Sequence, residues 1–199
     1  MFPWLNDALG GVRVLRELRR ETLASVSGRV VEIGFGSGAN LPYYPVTVTS
    51  VTGLEPNNGM TDRARRRTQT SPIAVELRQG VAEDLPFADS LFDAAVTTLT
   101  LCSVFDPQRA LRELHRVVRA EGSLYVIEHG LAMDPGVARW QQRLNGVERI
   151  VACGCNLNRP VVDLVTEAGF RFETVRAFFA PGVPRTHGWF TAGRAIRIR

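Results

Sequence analysis

"VVEIGFGSGANLPYY" spans residues 30–44 and joins an apolar run to three alternating glycines. The run contains the acid Glu32, and Gly34, Gly36 and Gly38 follow at every second position. Glycine loses more backbone freedom on folding than any other residue, but it adopts left-handed conformations freely and lets another molecule approach the main chain. We therefore interpret the segment as a strand followed by a turn that holds a ligand close to its backbone.

Strand-like and helix-like patterns alternate along the rest of the chain. Apolar or alternating runs predict strands at residues 29–33, 46–56, 73–80, 91–101, 122–130, 171–178 and 188–198. Helical spacing and start signals predict helices at residues 4–24, 57–71, 107–119, 135–151 and 161–168, with a break at 10–11 and a short helix after the glycines that Pro42 ends. This alternation predicts an α/β fold, a doubly wound sheet of seven mostly parallel strands. Ligands of such sheets bind at the carboxyl ends of the strands.

The size and charge of the chain limit the classes of protein to which it can belong. It has 199 residues, 45% of them hydrophobic, which fits a single domain with one core. The net charge is +4, and all 24 basic residues are arginine. Arginine pairs well with phosphate and carboxylate groups, so anionic partners are possible. The excess is modest, and we expect no nucleic acid partner.

Cysteine usage and hydropathy predict the compartment. Cys102, Cys153 and Cys155 are an odd number, and two of them lie two residues apart, which excludes a disulfide framework or a zinc ribbon. No run reaches the roughly 18 apolar residues of a membrane span, and the first residues lack the pattern of a signal peptide. We expect a cytoplasmic protein.

The glycine turn has two interpretations. Gly34, Gly36 and Ala39 satisfy a dinucleotide fingerprint, and Glu55 follows at the distance expected for a ribose contact. A nicotinamide oxidoreductase is therefore one alternative. Because Gly38 is a third glycine, a ligand would come closest to the backbone further into the turn than in the dinucleotide fingerprint. Glu32 would repel a nearby pyrophosphate but favour a ligand that carries an ammonium group.

Five motifs in order resemble the class I S-adenosylmethionine-dependent methyltransferases. They are "VVEIGFGSG", "GLEP", "AEDLPF", "LFDAAV" and "ALRELHRVVRAEGSLYVIE", and the resemblance covers about residues 28–130. It implies one methyltransferase domain over residues 1–199, with an N-terminal helical cap at 1–27, a cofactor-binding core at 28–130, and substrate-side helices and strands at 131–199. The family often has Asp where this chain has Val81, so Glu83, Asp84 or backbone would bind the adenine amino group.

The resemblance also implies a cofactor and its contacts. S-adenosylmethionine would lie on the Gly34–Gly38 turn, and Glu55 would accept hydrogen bonds from both ribose hydroxyls. The implied cofactor-binding residues are Glu32, Gly34, Gly36, Gly38, Asn40, Glu55, Pro56, Ala82, Glu83, Thr98 and Leu99.

Further segments resemble the thiol S-methyltransferase branch of this family and its small bacterial relatives. They are "TTLTLCSVFDP", "EHG", "CGCNLNRP" and "PRTHGWFTAGRAIR". A small, apolar acceptor such as a thiol is implied, with a lipid amine or a quinone-type ring as an alternative, and a non-catalytic binding module as another. That branch often has a membrane anchor, whereas this chain has only an arginine-bearing helix at its start, so at most peripheral membrane contact is expected. The oligomeric state is not predicted.

Position along the chain suggests the acceptor site. His129, at the end of strand five, is the candidate general base, because its ordinary pKa suits proton transfer near neutrality. The candidate acceptor-binding residues are Cys102, His129, Cys155, Asn156, Arg159 and His187, in a pocket formed with the N-terminal helix and the helix that contains Trp140. A structural role for His129 and an inert thiol at Cys102 are the alternatives. Cys-x-Cys without a second pair is poor zinc spacing, so we predict no metal.

Overall fold

Seven strands form one sheet in the computed structural model, which describes residues 13–56, 62–152 and 154–198. The strands are β1 (Gly28–Ile33), β2 (Val48–Glu55), β3 (Ala74–Gln79), β4 (Phe92–Thr98), β5 (Val118–His129), β6 (Phe170–Phe179) and β7 (Trp189–Arg197). The helices are α1 (Arg13–Leu23), α2 (Asp62–Thr70), α3 (Pro107–Val117), α4 (Pro135–Val151) and α5 (Val161–Glu167). A 3-10 turn at Leu41–Tyr43 follows the glycines.

The strand order confirms the predicted architecture. Across the sheet it is β3-β2-β1-β4-β5-β7-β6. The first five of these pair in parallel, and β7 runs antiparallel to both β5 and β6. The order reverses between β1 and β4, and in a doubly wound sheet this is where a crevice opens beyond the carboxyl ends of the strands.

Helices cover both faces of the sheet. On one face, Leu111 and Leu114 of α3 and Val165 of α5 are buried against the strands. On the other face, Leu23 of α1 and Ala64 of α2 are buried in a second cluster. The central strands are therefore apolar on both sides, as parallel strands between helices must be.

Two aspartates begin the helices that the sequence predicted from Asp-Pro pairs. Asp106 accepts a hydrogen bond from the N–H of Arg109 at 2.9 Å, and Asp134 accepts from the N–H groups of Gly136 and Val137 at 2.8 and 3.0 Å. These side chains satisfy N–H groups that have no partner inside a helix.

Some boundaries differ from the prediction. The helix α3 ends at Val117, not at residue 119, and β5 begins at once. Pro42 lies inside the 3-10 turn and does not end a helix, because proline fits the first turn, where no N–H is needed. The predicted helices at 4–24 and 57–71 lie partly outside the described residues.

The helix α4 buries a polar residue and leaves several apolar ones exposed. Gln141 is fully buried, and its amide bonds the backbone of Ala132, Gly130 and Thr186. Trp140 and Val147 are 56% and 60% exposed. These apolar side chains therefore face away from the sheet. Among the described helices, none has the length and hydropathy that a membrane crossing requires.

Candidate active site

A crevice of about 900 Å³ opens at the carboxyl ends of the central strands. Ten of the eleven predicted cofactor-binding residues line it: Glu32, Gly34, Gly36, Asn40, Glu55, Pro56, Ala82, Glu83, Thr98 and Leu99. The remaining one, Gly38, is buried beneath the turn, where an added Cβ would lie 3.1 Å from Phe35 Cζ. The structure thus brings together residues from four separate motifs.

The glycine turn presents bare backbone to the crevice. Gly34 and Gly36 have φ angles of +65° and +54°, in the left-handed region that favours glycine. A Cβ on Gly34 would lie 2.2 Å from Thr100 Oγ1, so this position must be small for the turn to pack. A Cβ on Gly36 would meet nothing closer than the Gly34 carbonyl at 3.7 Å, so the space beside Gly36 is open for a ligand.

Glu32 forms a buried hydrogen-bond network under the turn. Its side chain accepts from Asn40 Nδ2 at 2.9 Å and from the Tyr44 hydroxyl at 2.6 Å. Asn40 Oδ1 in turn accepts from Nε of Arg19, a residue of α1 that also lines the crevice. Burial raises the pKa of Glu32 to about 7, and the Tyr44 and Asn40 bonds and the Arg19 charge oppose that rise. The sequence predicted Glu32, but nothing in it connects Arg19 to this site.

Glu55 ends β2 beside the glycine turn. Its Oε2 accepts a hydrogen bond from the Gly36 N–H at 3.1 Å. A carboxylate thus lies against the bare backbone at the crevice wall, where it can accept hydrogen bonds from ligand hydroxyls.

The turn after β3 lines the next part of the crevice. Val81 is 48% exposed there. Glu83 Oε1 accepts from the N–H groups of Phe105 and Asp106 at 2.7 and 3.1 Å. Glu83 therefore connects this turn to the start of α3 and fixes the crevice wall between them.

A buried acid that the sequence did not predict fixes the loop after β4. Glu128 of β5 is fully buried and accepts from the N–H groups of Thr100 and Leu101 and from the Thr97 hydroxyl, at 2.9, 3.1 and 2.6 Å. Burial raises the pKa of this carboxyl group. The loop includes Leu99 at φ +52°, a costly conformation for leucine. Glu128 thus stabilises a strained residue in the crevice wall.

Three of the predicted acceptor-site residues meet in one cluster. His129 Nε2 lies 3.1 Å from Cys155 Sγ, and the donor atoms of Cys102, His129 and Cys155 all lie within 4.8 Å of one another. The pKa of Cys102 is well above its usual range because the Cys155 sulfur contacts it and because burial disfavours a thiolate. The other His129 nitrogen, Nδ1, is buried and has no hydrogen-bond partner within the part of the chain that the structure describes.

The cluster adjoins the crevice but does not line it. Cys102 Sγ contacts the carbonyl oxygen of Leu99 at 3.6 Å, and Leu99 is itself a wall residue. None of the six predicted acceptor-site residues is among the described residues of the wall, and neither is Trp140.

The other three acceptor-site candidates bond to protein groups. Asn156 Nδ2 donates to the Cys102 carbonyl at 2.9 Å, and Arg159 donates to the carbonyls of Leu101 and Val104. Both side chains thus fix the loop after β4. His187 lies elsewhere, with Nε2 at 3.3 Å from a Glu148 oxygen of α4.

The sheet order, the bare glycine turn and the Glu55 carboxylate define a class I S-adenosylmethionine-dependent methyltransferase, and the chain belongs to this family. Residues 31–126 match the model of the methyltransferase domain family.

Particular relatives differ in the acceptor that their names give. A phosphatidylethanolamine N-methyltransferase of Cereibacter sphaeroides is 32% identical over 157 residues, 70% of this chain and 77% of that protein. A human thiol S-methyltransferase is 32% identical over 170 residues, 81% and 68% of the two chains. A solved structure from Thermotoga maritima, described as an S-adenosylmethionine-dependent methyltransferase and possible histamine N-methyltransferase, has a TM-score of 0.69 at 27% identity and covers 97% of this chain and 93% of its own.

The cofactor is S-adenosylmethionine, and the residues of the crevice fit it. The left-handed Gly36 leaves room for a ligand beside the main chain, and the carboxyl groups of Glu55 and Glu32 lie beside and beneath the turn. A cationic ligand with a ribose requires such groups.

Proposed function

We propose that the protein transfers the methyl group of S-adenosylmethionine to a small, apolar thiol. The observation that carries this proposal is the environment of Leu99. This wall residue packs into an apolar cluster with Leu15 and Leu18 of α1 and Phe190 of β7. The apolar side chains of α1 and β7 thus pack behind the crevice wall beside β4, and this favours an apolar acceptor.

The apolar surroundings suit a thiolate acceptor in particular. S-adenosylmethionine supplies a methyl group on a positively charged sulfur. A thiolate loses its charge when it takes that methyl group, so an environment with few polar groups favours the neutral products. An amine keeps its positive charge and would need carboxylates or aromatic faces around it. Glu83 and Asp106, two carboxylates of the wall, accept backbone hydrogen bonds.

The contribution of the protein is to place the acceptor. Holding two reacting atoms about 3 to 3.5 Å apart in line can supply roughly 7 to 11 kcal/mol of the barrier. The fixed Leu99 loop, held by Glu128, would provide that rigidity. His129 contacts Cys155 and does not face the crevice, so its part in the reaction belongs with the thiol cluster considered below.

A matched set of acceptors tests the proposal. We would incubate the protein and methyl-labelled S-adenosylmethionine with benzyl mercaptan, benzylamine, benzyl alcohol and phosphatidylethanolamine vesicles. We expect label in the thioether and at least tenfold less in the other products. Label in an amine or lipid product with none in the thioether would refute the thiol assignment and favour the lipid-amine alternative.

We further propose that α4 rests on an anionic membrane surface. Its outward face exposes Trp140, Val147 and Val151, and Arg139 and Arg143 lie on the same helix. An apolar face with arginines beside it is typical of helices that lie in the membrane interface. Two copies of this face would instead bring like charges together.

Vesicle sedimentation tests this surface. We expect binding to vesicles that contain phosphatidylglycerol and little binding to pure phosphatidylcholine. Val147→Glu should reduce binding at least tenfold, whereas Val46→Glu, at a 99% exposed position away from α4, should not. Equal effects of the two substitutions would contradict the assignment of α4.

A further inference from the structure

We propose that Cys102, His129 and Cys155 form a binding site for a soft divalent cation, Zn²⁺. The chain has only three cysteines and three histidines among 199 residues. Two of those cysteines and one of those histidines bring their donor atoms within 4.8 Å of one another. They come from three separate segments: the loop after β4, the end of β5 and the loop after α4. Such convergence of scarce side chains indicates a built site.

The spacing of the donor atoms fits tetrahedral zinc. With Zn–S near 2.3 Å and Zn–N near 2.0 to 2.1 Å, tetrahedral geometry separates two sulfurs by about 3.8 Å and a sulfur from a nitrogen by about 3.5 Å. His129 Nε2 and Cys155 Sγ are 3.1 Å apart, and no pair in the cluster exceeds 4.8 Å. Shifts of about 1 Å or less would therefore admit the ion.

The three donor-bearing segments are already connected to one another. The loop after α4 bonds to the loop after β4 through the Asn156 N–H and Nδ2, which both donate to the Cys102 carbonyl at 2.8 and 2.9 Å. It bonds to the end of β5 through the Leu131 N–H, which donates to the Arg159 carbonyl at 2.9 Å. Gly130 permits this second approach, since a Cβ there would lie 2.3 Å from the same carbonyl oxygen. These bonds hold the three segments together, so the donor atoms lie close to one another before an ion binds.

The charges also balance. Two thiolates and a neutral imidazole carry two negative charges, which Zn²⁺ cancels, so the loaded site is neutral where Cys102 is 3% exposed. A coordinated thiol loses its proton to the solvent outright, because the charge of the ion outweighs the cost of burying a thiolate.

Three protein donors define a site with an open fourth position. Among the described residues, the group has three members and no further His, Cys, Asp or Glu. Zinc sites with three protein ligands keep the fourth position for water or a substrate. Cys102 Sγ contacts the carbonyl oxygen of Leu99, a residue of the crevice wall, so the open position would adjoin the crevice. An acceptor thiol that reached this position would be held as its thiolate; this last step alone rests on the proposed function. His129 would then hold the ion and would not act as a free base.

Metal titration tests the site directly. The reduced, chelator-treated protein would be titrated with Zn²⁺ against a chromophoric chelator, and with Co²⁺ as a spectroscopic probe. We expect one Zn²⁺ per chain and a thiolate-to-cobalt charge-transfer band with the intense visible absorption of tetrahedral Co²⁺. A cobalt complex without the charge-transfer band would overturn the proposal, and so would the absence of zinc binding.

Substitutions locate the bound ion. Cys102→Ser, His129→Gln and Cys155→Ser should each weaken Zn²⁺ binding more than about 100-fold, because loss of a ligand exceeds the loss of a supporting group. His115→Gln, a histidine of α3 that bonds the Ile198 carbonyl, is the matched control and should bind as the wild type does. Binding that survives in Cys155→Ser but vanishes in Cys153→Ser would overturn the assignment. Neither assay contains an acceptor, so failure of metal binding and failure of thiol methylation are separate results.

Discussion

Replacing Glu55 with alanine tests the cofactor site with little expected damage to the fold. The family resemblance implies that its carboxylate accepts hydrogen bonds from both ribose hydroxyls of the cofactor. A hydrogen bond to a charged group contributes about 1.5 to 3 kcal/mol, so losing two should weaken cofactor binding at least about 100-fold. Within the protein, Oε2 accepts from the Gly36 N–H, which is exposed, so water can replace that bond at a cost of roughly 1 kcal/mol or less.

Calorimetry with S-adenosylhomocysteine measures the effect without turnover. Glu55→Gln keeps the size and one acceptor oxygen but removes the charge, so we expect an intermediate loss of about tenfold. Glu76→Ala is the control, because it removes the same charge from an exposed position on β3. Circular dichroism and thermal melting would establish that each variant is folded.

Two results would refute the reasoning. If folded Glu55→Ala binds S-adenosylhomocysteine as tightly as the wild type, the carboxylate at the end of β2 does not hold the ribose. If Glu76→Ala weakens binding equally, the effect is one of overall charge and says nothing of the site.

Further substitutions give separate expectations. Gly34→Ala should lower the free energy of unfolding by about 2 to 5 kcal/mol in urea denaturation, since its Cβ would lie 2.2 Å from Thr100 Oγ1. Gly36→Ala should lower the free energy of unfolding by only about 1 to 2 kcal/mol, but it should weaken S-adenosylhomocysteine binding. Burial raises the pKa of Glu32 to about 7 in the folded state, so the free energy of unfolding should fall by up to roughly 3 kcal/mol as the pH rises from about 4.5 to 7, and Glu32→Gln should flatten that fall. Gln141→Leu should lower the melting temperature and cost about 3 kcal/mol or more, because three backbone groups lose their partner; an unchanged melting temperature would contradict this.

The fold and most of the cofactor crevice were predictable because their signals are local. Gly34 and Gly36 directly follow a strand, and Glu55 ends the next one, so each position is set by a few neighbouring residues. Parallel strands then carry these short segments to the same edge of the sheet.

The remaining site residues depend on long-range packing. Arg19 reaches the crevice because α1 covers the sheet, and Glu128 acts on the loop after β4 because β5 is the neighbour of β4. Along the chain Cys155 is near Cys153, whereas in the structure its sulfur lies close to the donor atoms of Cys102 and His129. Spacing along the sequence cannot predict such a cluster, because the paths of three loops decide which side chains meet.

The position of β7 between β5 and β6 has a consequence for biosynthesis. Because β6 pairs only with β7, it leaves the ribosome with no neighbour in the sheet, and the long edge of β5 stays open until residues 189–197 follow. At ordinary elongation rates this interval is on the order of seconds. A chain in which β7 has not yet docked has three unpaired strand edges, one on β5 and two on β6. Docking of β7 is therefore also the step that protects the polypeptide from aggregation.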